Sequence, residues 1–212
     1  MMFKRNSQNG NFLPDKRDSE VLAKNDKSIL EKTHIKKCQY LNIHRQNLIN
    51  FNNELTIPSP GEIIKIRTQK QHNAFTYILA LKEKYKTIDS LTILTFNINE
   101  KTLYVLDDWL KNGTLKKLCL CVSESISFRM PKRYEYIINN FKGKADIIFA
   151  WNHAKIALIK CQDNYYVVEG SGNYSDNAEI EQYIFENSKE SYDFDMQNLV
   201  NNIFTSKKVK II

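Results

Sequence analysis

The chain has 212 residues, 42% of them hydrophobic and 26% charged, with 31 Lys and Arg against 24 Asp and Glu for a formal net charge of +7. That length suits one ordinary domain with a full core plus an appendage. No run approaches the roughly 18 consecutive apolar residues of a membrane span, and the positive charge favours acidic partners such as nucleic acid.

Residues 1–60 differ in character from the rest. Residues 1–27 are charged, Asn-rich and aperiodic, which predicts disorder, and residues 1–11 lack the apolar stretch of a signal peptide. Residues 28–54 carry scattered apolar positions (Ile29, Leu30, Ile35, Leu41, Ile43, Leu48, Ile49, Phe51) that fit one or two marginal helices. The breaker Ile57-Pro58-Ser59-Pro60-Gly61 sets a boundary between a basic, partly disordered extension, 1–60, and a main domain, 61–212. The extension reads as a solvated tail or as a basic arm that folds onto DNA or a partner.

From Glu62 the pattern is α/β. Residues 63–66, 91–96, 115–122 and 145–151 read as strands. Between them, residues 67–85 carry Ala74, Phe75, Ile78, Leu79 and Leu81 at helical spacing. Residues 99–111 form a second helix that Asn99 can cap and Asn112-Gly113 can end. Residues 131–142 form a third, with Pro131 suited to its first turn. Residues 180–185 fit a further strand and 193–204 a closing helix. The alternation predicts a mixed, largely parallel sheet flanked by helices on both faces, the mixing coming from a late hairpin.

That hairpin lies within residues 151–181. Two short apolar runs, 156–159 and 165–168, flank the turn residues Gln162-Asp163-Asn164. A turn centred on Asp163 pairs His153 with Asn173 and Lys155 with Ser171, whose Cβ atoms would then lie roughly 4.5–5.5 Å apart. An imidazole, an ammonium, a hydroxyl and a carboxamide would share one patch at the end away from the turn. Such a set suits phosphate: Lys155 supplies charge and donors, Ser171 and Asn173 supply neutral donors, and His153 can act as nucleophile or as general acid and base. Each residue alone reads better as a solvated strand end; all four at this spacing read as a site.

These residues resemble a known motif. His153-x-Lys155 followed by Gly170-Ser171-x-Asn173 is similar to the HKD motif of the phospholipase D superfamily, and Glu181 sits where the family carries a downstream acid. The chain departs at one position, where Lys160 stands in place of the motif Asp. Strand parity puts Lys160 on the face away from His153, near the turn. The likeness runs over about residues 61–205 and is closest to single-motif, uncharacterised proteins of phages and mobile elements. It implies a metal-independent phosphodiesterase, needing no cofactor, acting on DNA or another nucleic acid through a covalent phosphohistidine on His153. Lys155 and Asn173 would hold the non-bridging oxygens, Ser171 would bond within the pocket, and Glu181 would orient His153. It also implies a homodimer with both sites at the interface.

Around that core, Gly170 and Gly172 would let the backbone approach substrate. Arg67 and Lys70, with Gln71 and His72, follow the first strand at the end where open α/β sheets bind ligands; they read as a phosphate clamp or as a solvated helix start. Arg129, Lys132 and Arg133 read as a solvated basic face. The four cysteines, Cys38, Cys119, Cys121 and Cys161, contain no Cys-x-x-Cys pair, so reduced thiols in a cytoplasm fit better than zinc or disulfides. Three other readings stay open: a nucleic-acid-binding protein that does not cut, a phospholipase, and an assembly protein of a mobile element in which the motif is a relic.

Overall fold

A computed structural model describes residues 37–44, 56–69, 73–175, 180–204 and 210–211. Within them, one nine-stranded sheet has the order β1-β2-β8-β7-β6-β3-β4-β5-β9. The elements are β1 (Lys37–His44), β2 (Glu62–Gln69), α1 (Phe75–Tyr85), β3 (Ser90–Thr95), α2 (Glu100–Lys111), β4 (Leu118–Ser123), α3 (Ile126–Arg129), α4 (Pro131–Phe141), β5 (Asp146–Ala150), β6 (Ile156–Cys161), β7 (Asn164–Gly170) and β8 (Ile180–Asn187). The chain closes with α5 (Lys189–Asp195), a π-helical turn (Met196–Val200), α6 (Asn201–Phe204) and β9 (Lys210–Ile211).

The α/β class and the helices on both faces match the sequence expectation; the strand directions do not. Only β1-β2, β3-β4 and β4-β5 pair in parallel, and the other five neighbouring pairs are antiparallel. The reason is connectivity. Among the described residues, helices join neighbouring parallel strands only along β3-α2-β4-α3-α4-β5, whereas β6, β7 and β8 follow one another as antiparallel neighbours. β2, which local pattern would join to β3, pairs instead with β8.

Burial along each strand reports how the sheet is covered. β3, β4, β5 and β6 are buried at nearly every position, as strands packed on both faces must be. On one face, α1, α2 and α4 pack Tyr77, Ile78, Leu81, Leu103, Leu106, Ile137 and Phe141 against Ile66, Ile93, Val168 and Phe185. On the other, Tyr192 of α5 and Val200 of the π turn cover Leu94, Ile148, Leu158 and Val167. β2 instead alternates: Ile64, Ile66 and Thr68 are buried while Lys65 and Arg67 are exposed. The second helical layer therefore stops short of β2, and that flank of the sheet has one open face.

Several local expectations hold in detail. Asn99 caps α2, its side chain accepting the Thr102 amide at 2.8 Å. Pro131 opens α4. Others shift. The helix expected over 67–85 begins at Phe75, because β2 runs on to Gln69. Lys37–His44, expected within marginal helices, is a strand parallel to β2, where a free sheet edge offers backbone partners that an isolated short helix lacks. The Pro58–Gly61 turn docks on β8, with the Gly61 amide donating to the Asn187 carbonyl (2.8 Å) and Asn187 Nδ2 donating to the Pro58 carbonyl (3.1 Å).

The three described thiols, Cys119, Cys121 and Cys161, are free, and burial pushes each up to about 12. Replacing Asn99 with Ala removes the α2 cap and is expected to lower stability by about 1 kcal/mol in urea unfolding, with an unchanged m value. Unaltered stability would show that the Thr102 amide finds another acceptor.

Candidate functional site

The sheet register gathers five strand ends at one place. Leu94 near the end of β3 pairs with Ile156 at the start of β6, Ile156 with Glu169 near the end of β7, Gly170 with Tyr183 near the start of β8, and Glu181 with Thr68 near the end of β2. His153, Lys155, Gly170, Ser171, Gly172, Asn173 and Glu181 therefore all lie at the end of the sheet where the parallel strands β3, β4 and β5 finish.

The hairpin differs by one residue from the expected register. Gln162 and Asp163 form a two-residue turn, with Gln162 at φ 54°, and Cys161 pairs with Asn164. Lys155 thus stands opposite Gly170, whose amide donates to its carbonyl at 3.1 Å, and not opposite Ser171. His153 and Lys155 lie in the segment before β6, so strand pairing does not set their side chains. Asn152 does: its Oδ1 accepts the Ala154 amide at 2.8 Å, and its Nδ2 donates to the carbonyls of Thr95 (3.3 Å) and Cys121 (3.4 Å). This clamp ties the segment to the ends of β3 and β4. Nothing around a lone Asn in the sequence signals it.

Two pairs form within the site. Lys155 Nζ lies 3.2 Å from His153 Nδ1 and donates to the His153 carbonyl at 2.7 Å. With the ammonium donating, Nδ1 accepts and the ring proton sits on Nε2. The His153 ring packs against Phe96, with centroids 5.2 Å apart, and the imidazole is otherwise exposed. In the second pair, the Ser171 hydroxyl donates to the Glu181 carboxylate and accepts the Gln182 amide at 3.0 Å. Glu181 is 7% exposed, and its carbonyl accepts the Thr68 hydroxyl at 3.3 Å. The expected bond from Glu181 to His153 is not formed; the ring nitrogen faces Lys155 instead.

Charge links the pairs. Burial pulls Lys155 below the ordinary lysine range, and the Glu181 carboxylate partly offsets this. Asn173 is half-buried beside Tyr174, which bridges to Ile98 after β3. Gly172 is buried. At Gly170 a Cβ would come within 2.3 Å of the Tyr183 ring and 2.5 Å of the Gln182 carbonyl, so no larger residue fits.

The remaining candidates are dispersed. Arg67 lies inside β2 on the open sheet face, where Lys65, Arg67, Glu169, Ser171, Gln182 and Ile184 line a groove of about 240 Å³. Lys70, Gln71 and His72 lie outside the described residues. Lys160 sits near the turn, 5.5 Å over the Tyr165 ring, away from the site. Arg133 is structural, binding Asn97 Oδ1 at 2.9 Å and the Ile98 carbonyl at 3.2 Å. Among the described residues no three His, Cys, Asp or Glu side chains gather as a metal site.

Gly170→Ala is expected to cost roughly 1–3 kcal/mol by overpacking, read by urea unfolding. Lys155→Met should move stability the other way. The folded-state pKa of Lys155 is depressed, so its contribution is fully present above the unfolded value of 10.5 and is lost as pH falls through the folded pKa. The variant should therefore melt higher than the parent at pH 7, with the gap closing as pH approaches 10. A lower melting temperature at pH 7 would show that the Glu181 attraction outweighs desolvation.

No protein-family model matches the chain, and no curated protein matches it. Among solved structures it is similar to phosphatidylserine synthase of Haemophilus influenzae Rd KW20, at 13% identity and TM-score 0.47, covering 71% of this chain and 40% of that one. It is also similar to TrmBL2, an archaeal chromatin protein described with a mode of DNA binding, at 11% identity and TM-score 0.46, covering 91% of this chain and 64% of that one. The chain thus spans less than two thirds of either structure.

Proposed function

We propose that this end of the sheet is a phosphodiester site and that the protein is a metal-independent phosphodiesterase acting on nucleic acid, DNA foremost. The observation that carries the reading is the contact between Lys155 Nζ and His153 Nδ1, 3.2 Å apart, beside the Ser171–Glu181 pair. An exposed imidazole held against an ammonium, with a hydroxyl and a carboxylate one and two strands away, supplies a nucleophile and its charge partners for displacement at phosphorus.

Attack through Nε2 requires that this nitrogen carry a lone pair. A phosphate arriving at the site competes for the Lys155 ammonium. When Lys155 turns to a non-bridging oxygen, Nδ1 is released and can hold the ring proton, which frees Nε2. Nε2 then bonds to phosphorus, and the P–O bond to the leaving group breaks. The leaving oxygen takes a proton from His153 of a second copy, facing across a shared cleft in a homodimer. That second imidazole then removes a proton from water, which attacks phosphorus and breaks the P–N bond. Lys155 and Asn173 stabilise the charge on the phosphoryl oxygens, and Ser171 holds Glu181 at the edge of the pocket. Gly170 and Gly172 keep the backbone low at the pocket, and Arg67, on the exposed face of β2, is a further phosphate contact.

One observation favours a second reading, a nucleic-acid-binding protein that does not cut. Glu181 is taken up by Ser171 and leaves His153 without a carboxylate at its far nitrogen, as an assembly protein with a silent site would.

The test is plasmid nicking in excess EDTA with wild type and His153→Ala. Cleavage by wild type and a loss of at least 100-fold in the variant are expected. If wild type fails to cut single- and double-stranded DNA across the pH range, the non-cutting reading replaces this one.

A further inference from the structure

Several side chains around His153 have no role in the chemistry above. Trp151 is 82% exposed and Phe128 is 72% exposed. Single exposed apolar side chains are ordinary on a protein surface. These two, however, stand on adjoining connections. Ser123 and Ala150 are partners at the ends of β4 and β5, and the Glu124 amide donates to the Ala150 carbonyl at 3.0 Å. The segments 124–129 and 151–155 thus leave the sheet side by side. Phe96 leaves the end of β3, next to β4. Its ring packs on His153 at 5.2 Å, and the Arg129 guanidinium lies over it at 5.6 Å. Two open aromatic rings, a guanidinium stacked on a third ring, and the His153–Lys155 pair therefore occupy one corner of the molecule.

We infer that this corner is a stacking platform for single-stranded nucleic acid, with unpaired bases on Trp151 and Phe128 and the intervening phosphate at His153 and Lys155. The inference rests on the phosphodiester reading and narrows its substrate to an unpaired strand. Ring faces and a guanidinium plane can stack only on bases that are not already stacked in a duplex, whose outer surface offers base edges and phosphates. Arg129 over Phe96 adds a cation to the stack. Charge selects this occupant over a second copy pressed against the same rings, since direct self-contact would set Arg129 and Lys155 against their own counterparts on a chain of net charge +7. A polyanion is complementary to all of them. In the proposed dimer the strand lies in the cleft, between the rings of the two copies.

The test uses the full chain carrying His153→Ala, so that binding is read without cleavage. Fluorescein-labelled oligo(dT) of twelve nucleotides and a twelve-base-pair duplex are titrated and followed by anisotropy. The single strand is expected to bind at least tenfold tighter and to quench Trp151, while Trp109, only 6% exposed, supplies a constant background. Adding Trp151→Ala or Phe128→Ala should weaken single-strand binding about tenfold each, without changing the slope of log affinity against log salt, because no phosphate contact is removed. Both side chains are exposed, so both variants should keep the parent's melting temperature.

Equal or tighter duplex binding, no binding of either probe, or unaltered affinity in both ring variants overturns the platform. So does a Trp151 shielded from acrylamide in the free protein together with a dimer that Trp151→Ala dissociates in sedimentation, which would make the corner a self-interface. The phosphodiesterase reading fails separately. If wild type does not nick DNA in EDTA but single strands bind through Trp151 and Phe128, the platform stands without the enzyme. If nicking depends on His153 but the ring variants bind as before, the enzyme stands without the platform.

Discussion

A carboxylate taken out of water must be met by donors or by opposite charge, and at the end of the sheet that gathers His153 and Lys155 that carboxylate is Glu181. Ser171 supplies the donor and Lys155 the charge, while Thr68 holds the Glu181 carbonyl. These demands fix the surroundings. Ser171 must arrive from β7 within reach of β8, and the chain can make that approach only because Gly170 presents no Cβ to the Tyr183 ring. Lys155 must stay near enough to feel Glu181 while it contacts His153. The imidazole is thus placed at second hand, through a lysine that answers to a buried acid.

The two faces of the sheet divide the labour. Where helices cover both sides, from β6 to β5, the strands are buried at nearly every position and serve as a frame. Asn152 hangs the His153 segment from the last carbonyls of β3 and β4 in that frame. Beyond β7 the cover is one-sided, and the exposed half of β2 shows Lys65 and Arg67 beside Ser171. Ser171 stands at the seam between frame and open face.

Much of this was legible in the sequence because it was local. The Asn99 cap, the Pro131 start, the apolar runs of β6 and β7 and the polar triplets beside them are written in consecutive residues. What escaped depends on distant partners. Nothing near β2 announces that it pairs with β8, nor near β3 that it pairs with β6, and five of the eight neighbouring pairs are antiparallel where a largely parallel sheet was expected. The hairpin register escaped for a smaller reason. Gln162, Asp163 and Asn164 all accept turn conformations, and only the structure assigns the positive φ to Gln162. His153, Lys155, Ser171 and Glu181 were nonetheless found together at one strand end, because chain order alone returns their segments to the same end of the sheet. The Lys155–His153 contact was not foreseen, since it depends on Asn152 shaping a segment that carries no periodic signal.

The pairing of β2 with β8 also sets a clock on the ribosome. β2 is synthesised more than a hundred residues before the strand that flanks it on its inner side. At roughly 5–20 residues per second that is a wait of about 6–24 s. During it, β2 can be covered on one edge only, by β1, which has already been made. The Ser171–Glu181 pair is assembled late. Until β8 docks, Glu181 is missing, Ser171 has no acceptor and Lys155 has no counter-charge. From the synthesis of His153 until Glu181 follows it, the nascent chain therefore carries the imidazole without the Ser171–Glu181 pair beside it.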